Sequence, residues 1–103
     1  MRVQYTNALL LSDLSVKIAA SDSVTLTEDQ KKPFISIAIS AASKALVLGL
    51  KDGDMALVYN TGDANAITVK NLATDTGTSL AYGKCAVVVA STTANGTVVT
   101  ALN

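Results

Sequence analysis

Histidine and tryptophan are absent from this chain, cysteine and proline occur once each, and the aromatic residues are one phenylalanine and three tyrosines. Without histidine, a Ser-His or Cys-His arrangement, an imidazole general base and most zinc sites are excluded. The single cysteine, Cys85, rules out an intrachain disulfide. It lies inside an apolar run and is expected to be a buried, structural thiol rather than a nucleophile. The six glycines are scattered through the turns, with no GxGxxG or GxxxxGK pattern to cradle a phosphate. Charge is scarce as well: 16% of residues are charged, and eight basic side chains balance eight acidic ones. Lys31-Lys32 is the only basic pair. A nucleic-acid partner would need a basic face, so none is expected. With so few aromatics, a stacking platform for bases or sugars has little to build on.

Apolar residues are plentiful by contrast. Half the chain is hydrophobic and the mean hydropathy is +0.40. No run approaches the roughly 18 apolar residues of a membrane span. The start is not read as a signal peptide, because Met1-Arg2 supplies one charge and the apolar segment 8–11 is short and followed by Asp13 and Lys17. A soluble chain made in a cytoplasm is expected. At 103 residues it reads as a single domain, 1–103, too small to hide all these side chains from water. The surplus apolar surface is expected to meet another chain.

The apolar residues fall into short runs separated by turn formers. Residues 45–50, 55–59, 66–72 and 85–90 each have the length of one strand, and Lys51-Asp52-Gly53-Asp54, residues 60–65, Asp75-Thr76-Gly77 and Tyr82-Gly83-Lys84 separate them. Upstream, residues 14–19 and 24–27 read as strands. Residues 28–33 read as a surface loop with room for one helical turn, ended by Pro33. Residues 34–40 alternate almost strictly, with Ile35, Ile37 and Ile39 on one face. Leu46, Leu48 and Leu50 share a face, and Ile67 and Val69 point inward while Thr68 and Lys70 point out. Met55, Leu57 and Tyr59 lie opposite Ala56, Val58 and Asn60, and Tyr59 is expected in the core with its neighbours. The run Ala86–Val89 is apolar on both faces, which predicts a strand covered on both sides, by the other sheet or by a neighbouring subunit. Asn95-Gly96 suits positive φ, and residues 97–102 close the chain as a strand. This pattern predicts an all-β fold, an antiparallel β-sandwich or small barrel of about eight to ten short strands.

The acids are explained by the same turns. Asp52-Gly53-Asp54 places two carboxylates around a glycine, but the distal ligands of a calcium loop are missing and Asp-Gly is ordinary hairpin chemistry. Asp63 and Asp75 sit in turns of their own. No paired-carboxylate constellation stands out. An enzyme is therefore not expected, nor is a metal, a cofactor or a small-molecule substrate.

Between residues 44 and 90 the chain resembles a β-structured module of tailed-bacteriophage virion proteins. The resemblance is carried by Val58-Tyr59-Asn60-Thr61-Gly62, then Ala66-Ile67-Thr68-Val69-Lys70, then Gly77-Thr78-Ser79-Leu80 with Gly83. It covers less than half the chain, and its motifs are turn and strand residues. The aromatic residue that often closes the module is absent here. The resemblance implies a structural protein of the head decoration, head-fibre or tail-fibre kind, usually trimeric. The expected partners are further copies of the chain and the major capsid protein or another virion protein, and the expected location is the virion. Residues 1–14 are expected to be an N-terminal arm or first strand that contacts neighbours through Arg2, Val3, Tyr5, Leu9, Leu10 and Leu11. A tail, baseplate or fibre component, a receptor-binding adaptor, and a carbohydrate-binding or adhesion module are the alternatives.

Overall fold

The computed structural model describes residues 13–101. Nine strands form within them: β1 Ser15–Ala20, β2 Val24–Thr25, β3 Phe34–Ile39, β4 Lys44–Val47, β5 Met55–Asn60, β6 Ile67–Lys70, β7 Thr78–Leu80, β8 Cys85–Val89 and β9 Val98–Ala101. The polar segment before Pro33 contributes one 3-10 turn, Glu28–Gln30, with the backbone N–H of Thr27 donating to Gln30 Oε1 at 3.0 Å. The all-β expectation holds. The strands make a five-stranded sheet, β1-β3-β5-β8-β9, and a four-stranded sheet, β2-β4-β6-β7, and neither closes into a barrel.

The antiparallel expectation needs correction. The pairs β1–β3, β3–β5, β2–β4 and β4–β6 are parallel, and only β5–β8, β6–β7 and β8–β9 are antiparallel. The chain reaches this arrangement by alternating sheets through its first six strands. Each short turn carries it to the opposite sheet, and each new strand lies beside the one laid down a turn earlier. Ser15, Phe34 and Leu57 are thereby placed side by side in the larger sheet, and Val24, Leu46 and Val69 in the smaller. One turn takes roughly twenty residues, the scale of a solenoid repeat. The winding stops at β6. There β7 folds back on β6, and β8 and β9 add antiparallel to the exposed edge of β5.

Both sheets contribute to one apolar core. Ile35, Ile37 and Val58 from the larger sheet and Leu46, Val69 and Leu80 from the smaller are at most 1% exposed. Burial of each such side chain is worth about 1.5–3 kcal/mol relative to leaving it in water. Ile67 and Val69 point inward as expected, and the shared faces of Ile35, Ile37 and Ile39 and of Leu46, Leu48 and Leu50 are buried as well. In β5 the faces are reversed. Ala56, Val58 and Asn60 are buried, whereas Met55 and Tyr59 are 60% and 41% exposed. The small and β-branched set fits the space between the sheets, and the bulky set faces out.

Candidate interaction surface

Two features of the described residues are candidates for function: a buried polar network at the corners and the outer face of the larger sheet.

Asn71 follows β6 directly. The ladder between the chain after β4 and the end of β6 continues through Leu48 N–H to Lys70 O and Gly49 N–H to Asn71 O, both at 2.9 Å. The Asn71 side chain then supplies the next rung. Leu50 N–H donates to Asn71 Oδ1 at 2.7 Å, and Asn71 Nδ2 donates to Leu50 O at 3.1 Å and to Ser91 O at 2.9 Å. Asn60 works similarly at the end of β5. Its Nδ2 donates to Asn65 O at 2.9 Å and to Leu80 O at 3.0 Å, and its Oδ1 accepts from Gly62 N–H at 3.0 Å. Both side chains are fully buried. A primary amide offers two donors and an acceptor, the same groups a neighbouring strand would present, so it satisfies backbone where the chain leaves the sheet.

Asp75 ties a third corner. Its carboxylate accepts from Leu72 N–H at 3.0 Å, Asn95 N–H at 2.7 Å and Thr97 Oγ1 at 3.3 Å. These donors, the Leu72 N–H foremost, hold its carboxyl below the ordinary value of 3.8. Asn95 Oδ1 in turn accepts from Thr76 N–H at 2.7 Å, and Asn95 itself has φ of 60°. Next to it Gly77 has φ of +78°, and a Cβ there would lie 2.6 Å from Thr68 Cγ2 and 2.9 Å from Val69 O. Asp75 is thus a turn residue as expected, but a buried one. The pair around Gly53 is a turn too: Asp54 N–H donates to Lys51 O at 3.0 Å, and Asp52 Oδ1 accepts from Thr92 N–H at 2.8 Å. On the surface, Lys44 pairs with Asp22 at 3.1 Å, and Lys31 pairs with Glu28. Asp22 is held below its ordinary pKa chiefly by the Ser23 N–H and then by Lys44.

The outer face of the larger sheet is of a different kind. Register sets its side chains in three rows: Met55, Val89 and Val98; then Phe34, Leu57, Val87 and Thr100; then Ser36, Tyr59 and Cys85. Phe34, Met55, Tyr59, Val89 and Val98 are all large hydrophobic side chains exposed to solvent. Pro33, Phe34, Met55, Leu57 and Val87 line a shallow apolar depression on it. No charged residue occurs in β3, β5, β8 or β9; among the described strands of the sheet, Lys17 on the edge strand β1 is the one charge. Cys85 is half-buried on this face rather than in the core, because Ala86 and Val88 take the inward positions.

The sequence-predicted contact residues Arg2, Val3, Tyr5, Leu9, Leu10 and Leu11 lie outside the described residues. The apolar face was legible only in part, through the run Ala86–Val89 with apolar residues on both sides. Among the described residues no helix is long and apolar enough to cross a membrane, and no group of three or more His, Cys, Asp or Glu side chains is placed to hold a metal ion. Comparison with protein-family models, curated proteins and solved structures returned no match to this chain.

Proposed function

We propose that this is a structural virion protein of a tailed bacteriophage, a capsid decoration protein that assembles as a homotrimer on the capsid exterior. The observation that carries the reading is the apolar outer face of the larger sheet, whose strands carry a charge only at Lys17 on the β1 edge, a surface suited to association. The residues of the phage-module resemblance support it in a consistent way. Asn60 closes β5, Ile67–Lys70 is β6, Thr78–Leu80 is β7, and Gly83 sits in the turn before β8 with φ of +75°. They form the frame of the two layers, which we read as a sandwich, and leave recognition to the surface.

The test is to mix purified chain with purified capsids that lack it and to quantify the bound copies. Saturable binding in multiples of three per capsid site is expected; capsids that take up no chain at saturating concentration contradict the proposal.

A second reading, a tail or fibre component, draws support from the winding of β1 to β6. Strands β1 and β2 are the edges of their sheets at the same end of the stack, where further turns of chain could add. A third, the carbohydrate-binding or adhesion module, draws support from Tyr59 and Tyr82, both solvent-exposed. Reproducible hits on a glycan array would favour it over the virion reading.

A further inference from the structure

We propose that the outer face of the larger sheet is the surface through which copies of this chain meet, and that its occupant is the same face of a second copy. The inference rests on the self-assembly part of the proposed function and adds to it a face-to-face contact, which pairs two copies about a two-fold axis and is separate from any three-fold grouping; it does not depend on the particle.

Three observations point to a copy of the chain rather than to another occupant. The first is charge. The rows across β3, β5, β8 and β9 carry no ionisable lysine, arginine, aspartate or glutamate. A charged partner laid on them would bury a group with nothing to pair it, which is strongly unfavourable. A second copy of the same face meets no such penalty where its Lys17, on the edge strand β1, stays at the rim. The whole chain is balanced as well, eight basic against eight acidic residues, so copies approach without net repulsion.

The second is extent. The exposed Phe34, Met55, Tyr59, Val89 and Val98, with the half-buried Leu57, Val87 and Cys85 between them, form one contiguous apolar patch across four strands. A specific interface needs about 1,000 Å² buried in total, roughly half from each face, which calls for a patch of this breadth on both partners.

The third is shape and chemistry. Side chains on a sheet stand in regular rows, and two faces of this type interdigitate with the sheets about 10 Å apart. The central row, Phe34, Leu57 and Val87, has the mix of one aromatic and two aliphatic side chains that fills such a layer. The flanking Tyr59 has a hydroxyl that reaches a rim hydrogen bond.

The test is sedimentation equilibrium of the full chain across the micromolar range, alone and with substitutions on the face. The wild-type chain is expected to show a mass at least twice the 10.5 kDa of the single chain. The double variant Met55→Lys/Val98→Lys is expected to weaken self-association by about a hundred-fold and to sediment as the single chain. Both sites are more than half exposed in the isolated chain, so the monomer fold should tolerate them; far-UV circular dichroism checks this. A milder pair, Met55→Gln/Val98→Thr, keeps the test valid if the lysine variant does not fold. The control Thr25→Lys, exposed on the smaller sheet, should leave the mass unchanged. A wild-type chain that is monomeric throughout overturns the proposal. So does an oligomer that persists in both face variants, since another surface, with residues 1–12 the first to examine, would then hold it. Capsid binding by a chain that stays monomeric would separate this failure from failure of the virion reading.

Discussion

Three buried polar side chains, Asn60, Asn71 and Asp75, hold the corners of this protein, and each acts by satisfying backbone. Asp75 makes the clearest case at the scale of one residue. Its carboxyl is held below 3.8 by donors present only in the folded chain, the Leu72 N–H first and the Asn95 N–H next. A carboxyl with a depressed folded value stabilises the fold at pH above the unfolded value, and that contribution is lost as pH falls through the depressed one. Stability should therefore decline below about pH 4. Asp75→Asn should show a flatter acid limb and lower stability at neutral pH, because an amide turns a donor toward one of the three donors. Urea unfolding midpoints at stepped pH check both. The partners of Asp75 lie up to 22 residues away in sequence, at Thr97, and so could not be read from it. The turn itself could. The same limit applies to Tyr59: the alternation in residues 55–60 was legible, but both faces of that strand are largely apolar. Periodicity does not say which of two apolar faces goes inside. Volume decided it, in favour of Ala56 and Val58.

At the scale of the element, the protein depends on where strands end. The short turns were plain in the sequence, and strands such as Phe34–Ile39 appear within a residue of the predicted span. Their direction was not plain. A period of two carries no polarity, and a turn of a few residues serves equally well for a hairpin or for a crossing to the opposite sheet. What makes the crossings work is the amide side chains that finish the ladders. Removing one leaves a buried N–H and two carbonyls without partners, at about 1–3 kcal/mol for each group left unsatisfied. Asn71→Ala should accordingly destabilise the fold by about 3 kcal/mol or more. The readout is the urea midpoint at constant slope. A loss well under 1 kcal/mol would mean that water replaces the amide at this corner.

At the scale of the whole molecule, one sheet has two apolar faces and only one of them is covered by the other sheet. The doubly apolar run Ala86–Val89 signalled this in the sequence. Its counterpart in β5, with Met55 and Tyr59, reads from sequence as a core face, so the breadth of the exposed face emerges only once the strands are paired. The protein is accordingly read as one built to associate, with copies joined through the larger sheet and the assembly seated on a virion. The most direct measurement is a cryo-electron microscopy reconstruction of purified particles that carry the chain. Density is expected for copies grouped on the capsid exterior, with Phe34, Met55, Tyr59 and Val98 of each copy turned toward the same face of a neighbour. Isolated copies with that face open to solvent would contradict it.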